Sequence, residues 1–294
     1  MAKPEQSSTV AASLAAADPT RLAQLRRRFP TITDLRASAR RRVPSFGFEY
    51  VDGGVGQGDL GAAGNATAMD AVEIVPRYGG DNAPVAIDLE LFGRRYAMPV
   101  GIAPMGVPGL IWPGGEEYLA RAAQVANVPF QLSTSSGAIE RAAELAPDVF
   151  WFQLYRVGRD AFAITYDLVR RAEVAGAHVL VLTLDVPARA KRPRELRTGL
   201  TAPFRPNLRT IVELASCPAW LVAFWRAGQP GFANFPKYVG GDPSHREVAE
   251  YVRREVGGTF SWDEVARLRE RWPRALVVKG VMDPKDAERA VSLG

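Results

Sequence analysis

The chain has 294 residues, with 37 Lys plus Arg against 32 Asp plus Glu, a formal net charge of +5, 47% hydrophobic and 23% charged residues. These proportions exclude collagen, coiled coil and wholesale disorder, and the length suits one large α/β domain or two smaller ones. A single cysteine, Cys217, excludes an internal disulfide and a cysteine-built zinc site. No metal is therefore expected, and a cytoplasmic location is the default. In chain order, residues 1–20 read as a flexible N-terminal tail with no secretory-signal pattern. Helical spacing follows over 21–45, through Leu22, Leu25, Phe29, Ile32, Leu35 and Ala39. The triple-arginine clusters Arg26–Arg28 and Arg40–Arg42 read as solvated helix faces, because no nucleic-acid module accompanies them; no nucleic-acid partner is expected. Residues 53–64 are glycine-rich and read as a flexible loop. Within them Gly56 to Gly61 fits G-x-G-x-x-G, with Asp81 further on, but the strand that must precede such a motif is missing.

From residue 98 onward, strand and helix patterns alternate. Strands are expected at 98–104, 129–134, 149–155 and 178–185, with helices at 116–127, 138–145 and 161–176. A long loop insertion occupies 186–260. Ser261 to Glu264 then reads as a capping box opening a helix to Trp272, residues 275–280 as a fifth strand, and Asp283-Pro284 as the start of a last helix. The strands are apolar on consecutive positions, which marks a parallel sheet buried on both faces. Two parallel folds fit this pattern: a five-stranded doubly wound sheet, or a (β/α)8 barrel of which about five units are present.

In either fold, functional groups gather at the C-terminal ends of the strands. Those ends carry Ala103-Pro104-Met105-Gly106, Ser133-Thr134, Gln153 and Tyr155, Thr183 and Asp185, and Lys279. Each has a purely structural reading. Ser133 and Thr134 suit helix capping, Gln153 and Thr183 suit neighbouring backbone, Tyr155 suits a core aromatic with its hydroxyl at the rim, and Asp185 suits an ion pair with Arg189 or Arg192. Lys279 directly follows two valines inside an apolar strand, where a buried lysine needs a polar or anionic partner. Five strand ends together favour a site.

The segments 46–54 (FGFEYVDGG), 98–116, 131–140, 151–155 (WFQLY), 180–199 and 275–291 resemble the FMN-dependent α-hydroxy-acid oxidase and dehydrogenase family, which includes glycolate oxidases and the flavin-type lactate and mandelate dehydrogenases. The resemblance runs from about Thr31 to Gly294. It implies an incomplete (β/α)8 TIM barrel over 21–294, FMN as cofactor, and oxidation of an L-2-hydroxy acid of the lactate or mandelate type to the 2-oxo acid. It places Tyr50 on the substrate carboxylate and Tyr155 on the substrate hydroxyl. Asp185 orients a histidine base, and Arg192 lies near substrate and flavin, preceded by Lys191 at a usually basic position. Ala103, Pro104 and Met105 lie along the flavin, Ser133, Gln153 and Thr183 hydrogen-bond its ring, and Lys279 faces its N1–C2 edge. An ammonium there stabilises the negative charge that oxidation delivers to the ring.

The family's histidine base follows a sixth strand, and neither His178 nor His245 matches it. The chain therefore reads as a C-terminally truncated member with little FMN affinity and no turnover, or alternatively as a non-catalytic binding or structural protein. Residues 217–238 include Trp220, Leu221, Val222, Phe224, Trp225 and Arg226. They suit either packing over the barrel or peripheral contact with the inner face of the cell membrane, as in bacterial relatives. Gly106, where oxidases often carry alanine, points to the dehydrogenase side. Quinone, another carrier or oxygen remain open as electron acceptor. Ser135 leaves room for a substrate larger than glycolate. Family members are often homo-oligomers.

Overall fold

The computed structural model describes residues 19–79, 85–158, 162–188, 190–200 and 208–294, and the side chain of Arg209 is not among the described groups. Most of the expected tail, Asp81 and Arg189 lie outside these residues. Helices α1 (Pro19–Arg28) and α2 (Ile32–Arg42) follow the expected spacing, and α2 opens on a capping box between Thr31 and Asp34. Helix α3 (Ser45–Asp52) buries Phe46, Gly47 and Phe48. The flexible loop expected at 53–64 is instead a 3-10 turn, Gln57–Asp59, that runs into α4 (Leu60–Asp70). Alanine-rich sequence favours that helix. A helix also precedes the glycines, so the G-x-G-x-x-G pattern has no strand to sit on.

A hairpin that sequence reading missed follows. Strands β1 (Leu89–Leu91) and β2 (Arg94–Tyr96) pair antiparallel, and Phe92 and Gly93 adopt φ of 52° and 73° at the turn between them. A two-residue turn with both φ positive matches the twist of its strands. The strand expected at 98–104 does not form; only Ile102 bridges to Phe130. Pro99 and Pro104 have no N–H to give to a ladder.

The strand–helix alternation is then as expected. Helix α5 (Gly115–Ala126) leads to β3 (Phe130–Ser133), α6 (Ile139–Leu145) to β4 (Phe150–Leu154), and α7 (Ala163–Val174) to β5 (Val179–Thr183). Strand β6 (Ala275–Lys279) follows the insertion and completes a four-stranded parallel sheet in the order β3–β4–β5–β6. Phe150, Phe152, Leu154, Leu180 and Leu182 are fully buried in β4 and β5, as continuous apolar runs require of strands covered on both faces.

The insertion expected as loop is largely helical. It contains α8 (Pro193–Arg197), α9 (Leu208–Ala215), α10 (Pro218–Ala227), the single turn α11 (Pro236–Val239) and α12 (His245–Glu255). The buried Asn234 side chain fixes it to the loop after β3. Its Nδ2 donates to the carbonyls of Thr134 (3.2 Å) and Gly137 (2.9 Å), and its Oδ1 accepts from the Ile139 N–H at 3.1 Å. Sequence reading did not reveal this amide as a fastener, because its partners are backbone groups about 100 residues away. Helix α13 (Trp262–Arg271) opens on the expected Ser261–Glu264 capping box, and α14 (Pro284–Ser292) on Asp283. A second small core joins Phe46 of α3 to Cys217 and Trp220 of the insertion.

Candidate active site

Parallel register decides which side chains meet at the C-terminal ends of the strands. Ser133 is paired with Gln153, and Thr183 with Lys279. The Gln153 amide donates to the Thr183 hydroxyl, and all three of Ser133, Gln153 and Thr183 are buried. Lys279 Nζ donates to Asp185 Oδ2 at 2.9 Å. The row therefore reads hydroxyl, amide, hydroxyl, ammonium along one face of the sheet, with a carboxylate beyond it. Polar side chains buried this deeply in an apolar sheet must be paired: Gln153 pairs with Thr183, and the Ser133 hydroxyl accepts the Ser135 N–H at 3.3 Å.

The chain leaving the Ile102 bridge runs beside this row. Ala103, Met105 and Ser133 line one small hollow of about 10 Å³. The main chain from Ala103 to Met105 makes no hydrogen bond among the described residues. Gly106, next in sequence, accepts from the Tyr50 hydroxyl at 2.6 Å. Arg192 lies with its guanidinium 5.5 Å from the centroid of the Tyr50 ring and is ion-paired with Glu195. Burial pushes the Tyr50 phenol up to about 12, while Arg192 pulls it down and Glu195 and Tyr155 push it up. These are the neighbours that Tyr50 feels, so the two tyrosines and Arg192 belong to one electrostatic environment. Tyr155 is half-buried against the main core, and its N–H donates to Thr134 Oγ1 at 3.1 Å. Pro104 is half-buried, and Lys191 is exposed.

Two expectations about individual residues need correction, and one of the two readings of 217–238 gains a residue. Lys279 is not buried: its side chain is 42% exposed, because β6 lies at the edge of the described sheet. Asp185 pairs with Lys279 rather than with Arg192, since the register places Thr183 and Lys279 side by side and Asp185 lies two residues further on. Trp220 is 4% exposed, packs edge-on to Phe46 and donates its indole N–H to the Ile111 carbonyl at 3.1 Å. It therefore belongs to the second core, whereas Trp225 is 84% exposed.

Neither histidine is hydrogen-bonded to a residue of the row among the described residues. His178 immediately precedes β5, at the opposite end of the strand from Thr183, and its Nε2 lies 2.7 Å from the Pro147 carbonyl. His245 is the first residue of α12, beside Gly231. No cluster of three His, Cys, Asp or Glu side chains suited to a metal occurs among the described residues. Sequence reading also missed Glu195 and Arg194. The three-residue spacing of Arg192 and Glu195 was the available signal for the first. Arg194 had none, because its partners Glu49, Asp52 and Asp59 lie far away in sequence, in α3 and the 3-10 turn after it.

An arc of parallel strands bearing a hydroxyl–amide–ammonium row at its C-terminal end defines a class, and the chain belongs to the FMN-dependent dehydrogenase family, which it matches over residues 39–294. It is 32% identical to the (S)-mandelate dehydrogenase of Pseudomonas putida over 265 residues, covering 90% of this chain and 66% of that protein. It is 34% identical to an L-lactate dehydrogenase of Stenotrophomonas maltophilia over 264 residues, covering 89% and 69%. Among solved structures it resembles a monotopic membrane protein, (S)-mandelate dehydrogenase, with a TM-score of 0.82 at 32% identity, covering 90% of this chain and 69% of that one. It also resembles a mandelate oxidase, with a TM-score of 0.71 at 32% identity, covering 90% and 66%. The chain thus spans about two thirds of the length of these relatives. The likeness settles the choice between the two parallel folds: the sheet is part of a TIM barrel.

The family's cofactor is FMN, and the donor set suits it. An isoalloxazine edge presents ring nitrogens and carbonyl oxygens of alternating hydrogen-bond character. Side chains that both donate and accept (Ser133, Gln153, Thr183), an ammonium (Lys279) and unpaired main chain at Ala103–Met105 match such an edge.

Proposed function

We propose that the protein serves the FMN-dependent oxidation of an L-2-hydroxy acid of the lactate or mandelate class to the 2-oxo acid. The observation that supports this most is the row Ser133–Gln153–Thr183–Lys279 at the strand ends, together with the Tyr50–Arg192 pair. FMN, when bound, supplies the two-electron sink. Ser133, Gln153 and Thr183 hydrogen-bond the ring, and the main chain of Ala103, Pro104 and Met105 lies along it. Lys279 sets a positive charge where negative charge accumulates. Arg192 and the Tyr50 hydroxyl bind the substrate carboxylate, a natural target for such donors. The Tyr155 hydroxyl holds the substrate hydroxyl.

The reaction also needs a base for a substrate proton, and in the family a histidine oriented by an aspartate provides it. In this reading Asp185 orients that base; its partner among the described residues is Lys279, and neither His178 nor His245 is hydrogen-bonded to it. With no histidine paired to Asp185, the described residues by themselves are expected to turn over nothing. The same observation favours a second reading, a flavin or hydroxy-acid binding protein without turnover. Anaerobic addition of (S)-mandelate or L-lactate to the FMN-loaded protein separates the readings. Flavin bleached by the 294 residues alone overturns the expected inactivity. Failure of both acids with a chain that also carries a histidine segment after the next strand of the barrel overturns the proposed oxidation.

A peripheral membrane location belongs to the same proposal. No helix of the described residues is long and apolar enough to cross a membrane. Adjacent helices α9 and α10 nevertheless expose Leu208, Ile211 and Val212, and Val222 and Trp225. An apolar face of that kind suits the lipid interface.

A further inference from the structure

Arg194 follows Arg192 by two residues, in the first turn of α8. Its Nη1 lies 3.0 Å from Glu49 Oε2 and 2.9 Å from Asp52 Oδ2, and its Nε lies 2.5 Å from Asp59 Oδ2. One guanidinium thus gathers three carboxylates, two of which flank Tyr50 on α3. The carboxylates are themselves held. Arg36 of α2 donates to both oxygens of Asp52, and Asp59 Oδ1 accepts the Gly54 N–H at 3.0 Å. The Gly56 N–H donates to the Lys191 carbonyl at 3.0 Å, the neighbouring tie between the same two segments. Gly53 leaves the room needed, since a Cβ there would lie 3.1 Å from Arg194 Cδ.

Helix α8 is only five residues long. A helix of that length has no stability of its own, so its placement depends on its anchors. Tyr50 and Arg192 come from α3 and from the N-cap of α8, far apart in sequence, and a two-point grip on a carboxylate works only when both donors are held to a fraction of an ångström. We infer that Arg194 is the positioning residue of the substrate-carboxylate grip, locking α8 with Arg192 onto α3 with Tyr50 through Glu49, Asp52 and Asp59. The inference rests on reading Tyr50 and Arg192 as that grip. Lysine is a poor replacement, because a single ammonium cannot fork across carboxylates on two sides.

The test compares Arg194→Ala and Arg194→Lys with a control, Arg246→Ala, whose exposed pair with Glu250 lies on α12. Amide hydrogen exchange is read by mass spectrometry on peptides spanning 45–59, 190–200 and strands β4 and β5. Arg194→Ala is expected to speed exchange at least tenfold in the first two segments and to leave the strands unchanged. Arg194→Lys is expected to fall between, and the control to match the parent. A second readout is the Tyr50 phenol, followed as the difference between each protein and its Tyr50→Phe counterpart. Loosening α8 exposes the phenol, so it is expected to ionise at lower pH in Arg194→Ala. Unchanged exchange in both segments overturns the inference, and so does an equal loss of protection in β4 and β5, which marks a general stabilising role. If the segments loosen as expected while neither (S)-mandelate nor L-lactate binds the parent, the tie stands and the carboxylate reading of the grip falls.

Discussion

Lys279 donates to Asp185 at 2.9 Å across the C-terminal ends of β5 and β6. An electrostatic contact therefore couples the ammonium proposed to face the flavin to the carboxylate proposed to orient the base. Both side chains are about two-fifths exposed, 42% and 38%, so the pair itself is worth at most about 1 kcal/mol. Its value lies in where it holds the two charges.

Gly280 makes that arrangement possible. Its φ is +95°, and a Cβ there would lie 2.3 Å from Asp185 Cβ. Gly280→Ala is expected to displace Asp185 from Lys279 and to cost upwards of about 1 kcal/mol, since both the backbone conformation and the space oppose a side chain. Urea denaturation measures the cost; a variant as stable as the parent refutes this account of the strand end.

Gly106 has a similar relation to Tyr50. A Cβ at Gly106 would meet the Tyr50 hydroxyl oxygen at 3.0 Å, on the residue whose carbonyl that hydroxyl already engages. Gly106→Ala is expected to shift the phenol and weaken binding of a 2-hydroxy acid by about tenfold, equivalent to about 1.4 kcal/mol. Calorimetric titration with (S)-mandelate reads this directly, and an unaltered affinity counts against a carboxylate contact from Tyr50.

The two tryptophans of α10 should behave oppositely. Trp220 packs between Phe46 and Phe224, stacked on the latter at 5.3 Å. Trp220→Ala is expected to destabilise the fold by about 3–5 kcal/mol. Trp225→Ser removes an exposed ring and is expected to stay within about 0.5 kcal/mol of the parent, yet to lower co-flotation with lipid vesicles. Equal flotation of parent and Trp225→Ser argues against lipid contact by this helix.

Acid stability should report on the Arg36–Asp52–Arg194 network. The Arg36 hydrogen bonds hold the Asp52 carboxyl below its ordinary value, burial opposes them, and Arg194 adds to the lowering. A carboxylate depressed in the folded state contributes its stability in full above its unfolded value of about 4, and loses it as pH falls through the lower folded value. Asp52→Asn is therefore expected to be less stable than the parent near neutral pH and to lose less on acidification below about pH 4. Parallel acid limbs in urea titrations of the two proteins contradict this.

Local pattern was enough for the strands β3 to β6, because runs such as VFWFQLY and HVLVLTLD are apolar without alternation and allow only a doubly covered parallel sheet. The helices between them, the Ser261 capping box and the polar composition of the strand ends were legible for the same reason: each is a short-range signal. The hairpin at Phe92-Gly93 was missed because its strands are only three residues each. The strand at 98–104 was over-read because its apolar run was given more weight than its two prolines, which offer no N–H to a ladder.

The residue types of the site were set by the chain itself: a tyrosine, arginine and lysine with neighbouring hydroxyls and amides, at spacings that resemble one flavin family. Partnership was decided only in three dimensions. Lys279 meets Asp185 because parallel register lays Thr183 beside Lys279, Trp220 turns inward because Phe46 waits there, and Arg194 reaches back to Glu49 and Asp52. Sequence periodicity encodes which face of an element is apolar, but a hydrogen bond or ion pair depends on distances between segments that lie far apart along the chain, and those exist only once the sheet and its helices have packed.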